Sequence, residues 1–170
     1  MPRIQDMTVR EKLEKVDIHS ILNESVELVK AQAEEKNIDL KFEVPEHFST
    51  IVGNHEALIH LFMNIYSNAI KYNCEFCRVT STVIDENDMI SIRICDNGIG
   101  IPEESLPFIF DDFFRVQTIR KKAKQLSGET GTGLGLAIAK KIVDAHRGYI
   151  DVESKLDVGT CFTVHLPKKQ

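Results

Sequence analysis

The sequence His60-Leu-Phe-Met-Asn64-Ile-Tyr-Ser-Asn68-Ala-Ile-Lys71-Tyr72 carries the clearest folding signal in the chain. Its polar residues Asn64, Asn68 and Lys71 recur at i, i+4 and i+7, the spacing that places side chains on one face of an α-helix. A neighbouring face is apolar and is suited to pack on a sheet; it consists of Leu58, Phe62, Ile65 and Ala69. An amide oxygen can ligate Mg²⁺ and a lysine can pair with phosphate. The same three residues also fit an ordinary solvated helix face.

Two glycine-rich segments follow. Asp96-Asn-Gly98-Ile-Gly100-Ile-Pro102 comes directly after an alternating, strand-like run. A carboxylate at such a strand end can accept a hydrogen bond from an exocyclic amine such as that of adenine, and glycines let the backbone approach a ligand closely. Gly131-Thr-Gly133-Leu-Gly135-Leu136 opens a predicted helix, whose free N–H groups and dipole favour anions. Taken singly, each segment also fits a turn, and neither has the context of a Walker A or dinucleotide loop.

Outward from these segments, apolar spacing predicts the order αββαββ, loop, αββ. The first helix is expected to begin after Asp17 as its N-cap and to end at Asn37. The predicted strands cover about residues 40–44, 50–52, 78–84, 89–95, 148–154 and 161–166. We therefore expect an α+β two-layer sandwich, with a mixed, mostly antiparallel sheet of about five strands and about three helices on one face.

Composition excludes several other classes of protein. The chain has 170 residues, 42% of them apolar and 28% charged, which is typical of one globular domain. A formal net charge of -5 argues against nucleic acid as a partner. Without an apolar run near 18 residues we expect no direct membrane contact and a cytoplasmic location, although the parent protein can be membrane-anchored elsewhere.

The six histidines lack metal-ligand spacing. The four cysteines, including Cys74-x-x-Cys77, are expected to be reduced thiols, with a zinc or redox role for that pair left open.

The motifs occur together in one order: the Asn-rich helix, the Asp96 glycine loop, Phe110-Asp-Asp-Phe-Phe-Arg115, the Gly131 loop, and Gly159-Thr160. This order resembles the histidine kinase branch of the GHKL ATPase superfamily, whose N, G1, F and G2 boxes and third glycine box these segments match from about residue 17 to 167. The resemblance implies a Bergerat ATP-binding fold. It also implies that residues 17–170 form the catalytic domain with a mobile ATP lid at about 111–130, and that residues 1–16 are the tail of an upstream dimerisation helix and a linker.

The resemblance also assigns roles to individual residues. Asn68 is expected to ligate Mg²⁺, while Asn64 and Lys71 are expected to contact phosphate or the metal shell and to be catalytic. Asp96 is expected to accept a hydrogen bond from the adenine amino group. The other implied ATP-binding residues are Tyr72, Gly98, Gly100, Ile101, Arg115, Gly131, Thr132, Gly133, Leu134, Gly135, Leu136 and Thr160. Asp111-Asp112 departs from the Glu that usually follows the first Phe of the F box.

Asn64 separates the branches of the superfamily. Gyrase-like and Hsp90-like relatives carry a water-activating Glu on that turn of the helix, and Asn cannot act as that base. The resemblance thus implies phosphoryl transfer from ATP to a histidine on an upstream dimerisation domain, with release of ADP and onward transfer to a response regulator receiver domain by the full kinase. No histidine lies in the acceptor motif, so the chain is expected to be a monomeric fragment. The alternatives are another GHKL ATPase, a serine-directed anti-sigma kinase, or a non-enzymatic nucleotide-dependent regulatory module.

Overall fold

A computed structural model describes residues 9–43, 50–111 and 135–170. In chain order the elements are β1 (Glu14–Asp17), α1 (Ile18–Glu35), β2 (Asp39–Glu43), β3 (Thr50–Gly53), α2 (His55–Lys71), β4 (Arg78–Asp85), β5 (Met89–Asp96), a 3₁₀ segment (Glu103–Phe108), α3 (Gly135–Ala145), β6 (Tyr149–Lys155) and β7 (Gly159–Pro167).

The main sheet has five strands in the order β2-β4-β5-β7-β6. Its β2–β4 pair is parallel, and the other three pairs are antiparallel. A parallel pair needs a long crossover, which α2 provides between β2 and β4. The predicted mixed, mostly antiparallel sheet of about five strands is confirmed.

The core lies between one face of this sheet and the helices. Alternate residues of β5 and β7 are fully buried, as period-2 side-chain geometry requires; they are Ile90, Ile92, Ile94, Phe162, Val164 and Leu166. The buried stripe of α2, including Leu58, Phe62 and Ile65, belongs to the same apolar cluster. The opposite sheet face carries polar side chains such as Arg93 and Thr163. The molecule therefore has the predicted two-layer form.

The ends of α1 follow the sequence prediction. Asp17 is the N-cap, and its Oδ1 accepts from the His19 N–H at 3.0 Å. At the other end Asn37 has φ 54°, a left-handed conformation that Asn tolerates well. The Ile38 N–H then donates to the Ala33 carbonyl at 2.9 Å, which satisfies one of the last helical acceptors.

The beginning of the described chain differs from the prediction. The predicted element order begins with a helix, but a strand precedes that helix: Glu14–Asp17 form β1, which pairs antiparallel with β3 and places Val16 opposite Ile51. Val16 is buried. This strand is stabilised by a partner some 35 residues further along the chain, so the local sequence, which is charged and short, gives no sign of it.

The expectation of reduced thiols is wrong for this structure, in which all four cysteines form disulfides. Cys74 pairs with Cys77 within one turn, with Cα atoms 5.4 Å apart. Cys95 pairs with Cys161 across β5 and β7, with Cα atoms 4.1 Å apart. The second pair is 66 residues apart in sequence, and only the strand register brings its members together.

Candidate functional site

Asp96 is the last residue of β5 and lies opposite Thr160 of β7. Its Oδ1 accepts from the Gly98 N–H at 2.9 Å and from the Thr160 N–H at 3.3 Å. Burial raises the pKa of this carboxyl to about 6, and the two backbone donors oppose that rise only in part. Because both bonds use Oδ1, Oδ2 keeps its capacity to accept from a ligand.

The two glycines after Asp96 bring three backbone segments into contact. A Cβ on Gly98 would collide with the Tyr72 carbonyl, and one on Gly100, which has φ 75°, would collide with the Lys155 carbonyl. Close approach also allows the Ile99 N–H to donate to the Tyr72 carbonyl at 3.2 Å. The glycine loop therefore joins the end of α2 to the end of β6.

Ser154 is a site residue that sequence reasoning missed. Its hydroxyl oxygen accepts from the Ile101 N–H at 2.7 Å and donates to the Gly159 carbonyl at 3.1 Å. It also lies 2.7 Å from the Thr160 hydroxyl. These bonds hold the loop against the strand that carries Thr160. The alternation of Ile150 and Val152 would have predicted an inward-facing polar residue at position 154.

The polar face of α2 lies beside the start of α3. Asn64, Asn68 and Lys71 are all partly exposed on this helix, whose apolar stripe is buried. A Cβ on Gly135, the first described residue of α3, would lie 3.8 Å from Asn64 Oδ1. Within the part of the chain that the structure describes, Asn64 Nδ2 is buried without a hydrogen-bond partner. A buried donor without a partner is the kind of group that a bound ligand satisfies.

Lys36 fixes the end of α2, a role that no motif indicated. Its Nζ donates to the carbonyls of Ile70 and Lys71 at 3.0 Å each and to that of Asn73 at 3.4 Å. A lysine at this position satisfies C-terminal helix carbonyls and complements the helix dipole. Because Lys36 follows α1, no pattern local to α2 could have revealed the contact.

The site residues predicted from sequence therefore fall into two described groups and one undescribed group. Asp96, Gly98, Gly100, Ile101 and Thr160 cluster where β5, β6 and β7 meet the glycine loop. Along α2 and at its end lie Asn64, Asn68, Lys71 and Tyr72, with Gly135 and Leu136 opening α3. Outside the described residues lie Arg115, Gly131, Thr132, Gly133 and Leu134, together with nearly all of the predicted lid.

Two further observations bear on the chemistry of the site. In the described ranges, His, Cys, Asp and Glu side chains nowhere gather in groups of three that could hold a metal ion. No helix in the described part of the chain is long and apolar enough to cross a membrane.

The sequence and the fold of this chain are similar to those of known histidine kinases. Residues 53–170 match the family described as histidine kinase-, DNA gyrase B- and HSP90-like ATPase. Similar curated proteins include the adaptive-response sensory kinase SasA of Gloeothece citriformis, 34% identical over 80% of this chain and 33% of that protein. The sensor-like histidine kinase SenX3 of Mycolicibacterium smegmatis is 32% identical over 99% of this chain and 42% of its own length. The chain thus spans well under half the length of these relatives.

Solved structures show the same similarity. A mycobacterial sensor histidine kinase, MprB, superposes with a TM-score of 0.78 at 26% identity and covers 92% of this chain and 99% of its own. The nucleotide-free catalytic domain of histidine kinase ThkA gives 0.79 at 26% identity, over 94% of this chain and 99% of its own. Full-length ShkA in complex with AMPPNP gives 0.76 at 29% identity, over 91% of this chain and 31% of its own.

Proposed function

The chain belongs to the family of histidine kinase-, DNA gyrase B- and HSP90-like ATPases, and on this premise we propose that it donates phosphoryl groups as the catalytic domain of a two-component sensor histidine kinase. The substrate is Mg·ATP, and the acceptor is a histidine on an upstream dimerisation domain of the full kinase. A response regulator receiver domain then takes the phosphoryl group from that histidine. By itself the chain is a monomer that binds ATP or ADP, and no step uses nucleic acid or membrane.

The Asp96 carboxylate is the observation that carries this proposal. Its Oδ1 is already engaged by two backbone N–H groups, so Oδ2 is the atom that accepts from the adenine amino group. Gly98, Gly100 and Ile101 bring the loop backbone close to the ring, and Thr160 closes the pocket from β7. A partly buried carboxylate with one oxygen left to accept a hydrogen bond selects an amino purine over a keto purine, because a keto oxygen would face it acceptor to acceptor.

The polar face of α2 suits the phosphates and their metal. Mg²⁺ is a hard cation that prefers oxygen, and the Asn68 amide oxygen offers such a ligand beside the phosphates. There the metal would offset phosphate charge. On the same side Asn64 adds its Nδ2, which is buried without a partner among the described residues, and Lys71 adds a point charge. Tyr72 lies next to the adenine loop. Gly135 and Leu136, at the start of α3, supply backbone N–H groups.

The absence of a base at position 64 favours transfer over hydrolysis. An amide cannot take a proton from water, so Asn64 can only orient the phosphates. The imidazole nitrogen of the acceptor histidine instead attacks the γ-phosphorus, the bond to the β–γ bridging oxygen breaks, and ADP leaves. Catalysis here consists of positioning and of stabilising the charge of the transferring group.

Calorimetric titration with a non-hydrolysable ATP analogue tests the nucleotide site. We expect saturable one-to-one binding that strengthens with Mg²⁺. Asp96→Asn should weaken binding about tenfold to a hundredfold, because its Nδ2 would face the adenine amino group donor to donor. Asp39→Asn, at an exposed position of β2, is the matched control and should bind like the wild type. Equal binding by the Asp96 variant would contradict the assignment.

A second experiment separates kinase from alternative activities. The chain is mixed with Mg·ATP and a dimerisation domain that carries a histidine acceptor, and the product is treated with acid. We expect a phosphoryl–protein bond that is acid-labile, as phosphohistidine is. An acid-stable product would instead support a serine-directed kinase, and release of free phosphate without an acceptor would support an ATPase of the gyrase type.

A further inference from the structure

Cys95 and Cys161 sit side by side next to the two residues that hold the adenine pocket. They are register partners on β5 and β7, and the adjoining pair in the same ladder is Asp96 opposite Thr160. Both cysteines are partly exposed on the sheet face that turns away from the helices, so a small solute can reach them. The Cys95–Cys161 pair is therefore partly exposed and lies one residue from the site.

Arg93 places a positive charge next to this cysteine pair. Its Nε lies 3.3 Å from Cys95 Sγ, and its Nη2 forms an exposed ion pair with Glu153 Oε2 at 3.7 Å. A cation this close stabilises a thiolate, the form that attacks disulfides. Partial exposure and an adjacent positive charge are the surroundings of reactive cysteines, whereas structural cysteines are usually buried in apolar contacts.

We propose that Cys95 and Cys161 form a reversible dithiol–disulfide site for low-molecular-weight disulfides, and that its state sets the affinity of the adenine pocket. The Cys95 thiolate attacks one sulfur of an oxidised disulfide such as glutathione disulfide, forming a mixed disulfide and releasing one thiolate. Cys161 loses its proton to solvent and attacks the Cys95 sulfur, which releases the second thiolate. Two protein thiols are oxidised and one glutathione disulfide is reduced to two thiols.

The coupling to the pocket rests on the proposed nucleotide site and follows from the strand ends. Asp96 ends β5 and Thr160 is the second residue of β7, and a 3.3 Å hydrogen bond from the Thr160 N–H to Asp96 Oδ1 joins them. A disulfide one residue further into the ladder prevents these ends from fraying apart. The oxidised form therefore presents Asp96 already in place and binds nucleotide more tightly, because less ordering is left for the ligand to supply.

The reciprocal effects of oxidation and nucleotide binding on each other provide the test. If oxidation tightens nucleotide binding by some factor, bound nucleotide must favour the disulfide by the same factor. The protein is the full chain carrying Cys74→Ser and Cys77→Ser, which leaves one cysteine pair. It is equilibrated in glutathione redox buffers with and without a saturating non-hydrolysable ATP analogue, then alkylated and mapped by mass spectrometry. We expect a Cys95–Cys161 disulfide to form. The glutathione redox ratio at which half of the protein carries this disulfide should shift about fivefold or more when nucleotide is bound.

Two further variants test the cysteine pair and Arg93 separately. Replacing Cys95 and Cys161 by Ser in the otherwise native chain should make nucleotide affinity independent of the redox buffer, with its fold checked by circular dichroism. Arg93→Gln, at an exposed residue, should slow the reaction with glutathione disulfide several-fold, because the thiolate loses its counter-charge.

The possible outcomes test the thiol site, its coupling to the pocket and the nucleotide site separately. Failure to form the Cys95–Cys161 disulfide in any buffer overturns the thiol site. A disulfide that forms without changing nucleotide affinity overturns the coupling. If neither redox form binds nucleotide while the disulfide maps correctly, the proposed nucleotide site and its coupling fail and the thiol site stands.

Discussion

Asp96 faces opposite demands from folding and from binding. Burial raises its pKa to about 6, since a charged carboxylate loses water contacts that its two N–H partners only partly replace. Binding needs the charged form, whose free oxygen accepts from an amino group. At neutral pH, where Asp96 is charged, the amino group of a bound nucleotide supplies the donor that the carboxylate otherwise lacks.

The first prediction concerns the pH dependence of nucleotide affinity. As the pH falls through about 6, Asp96 takes up a proton and its free oxygen can become a donor, so affinity should fall. Calorimetry of ADP binding between pH 5 and 8 checks this. The nucleotide phosphates titrate in the same range, so Asp96→Asn is run in parallel to subtract their share. Parallel pH profiles for the two proteins would contradict the assignment.

The second prediction concerns the free energy of unfolding measured without added nucleotide. The pKa of Asp96 is raised from 3.8 in the unfolded chain to about 6, so the folded state holds more protons between these values. Stability therefore falls as the pH rises through this window. Asp96→Asn keeps the Oδ1 acceptor without the charge, and should raise the free energy of unfolding at pH 7 by up to about 3 kcal/mol.

Urea unfolding at pH 7 and at pH 3.5 measures that effect. The gain should be present at pH 7 and nearly absent at pH 3.5, where both states of the wild type are protonated. A loss of stability at pH 7 would instead mean that the charged carboxylate is stabilised by its partners in the folded protein, and would contradict the raised pKa.

At the scale of elements, the sequence predicts what depends on local periodicity. The spacing of Ile18, Leu22 and Val29 locates α1, and all three side chains are buried. The strand β1 and the parallel pairing of β2 with β4 depend on partners far along the chain, so no local pattern contains them.

The site divides in the same way. Asp96 and Asn64 were found because each lies in a motif with its own spacing. Lys36 was missed because its hydrogen bonds reach residues 34 or more positions away, as to Ile70. The alternation of β6 indicates only that Ser154 faces inward, and its bond to Ile101 joins residues 53 positions apart, which no local pattern contains. The Cys95–Cys161 pair was missed for the same reason, since strand register alone brings it together.

The third prediction concerns the contact between α1 and α2. Lys36→Met keeps an aliphatic stem but leaves the carbonyls of Ile70 and Lys71 without their ammonium donor. We expect the free energy of unfolding to fall by about 2 kcal/mol, with weaker nucleotide binding because the end of α2 loosens beside Tyr72. Lys30→Met, at an exposed position of α1, should change neither quantity. Urea titration and calorimetry on both variants decide.

At the scale of the whole molecule, the first and last described segments meet around His146. Its Nε2 accepts from the Asn54 N–H at 3.0 Å, and its carbonyl accepts from Gln170 Nε2 at 2.6 Å. Burial lowers the pKa of this imidazole, which keeps it neutral and able to accept. Asn54 is the N-cap of α2, and its Nδ2 donates to the Val9 carbonyl at 3.0 Å. The residue that caps α2 therefore also binds the first described residue.

The last prediction separates this junction from the nucleotide site. Arg10 Nη1 donates to the Ala145 carbonyl at 3.1 Å and to Gln170 Oε1 at 3.0 Å, so Arg10→Ala removes two charge-assisted bonds at the C-terminal end of α3. We expect a loss of about 2 kcal/mol in the free energy of unfolding. The 11 residues of α3 put Gly135 about 15 Å from this contact, so nucleotide affinity should stay within about twofold. Lys12→Ala, at an exposed position, is the control for both measurements. If Arg10→Ala weakened nucleotide binding as strongly as it weakened folding, α3 would transmit strain between its ends, and the approach of the upstream segment would itself regulate the pocket.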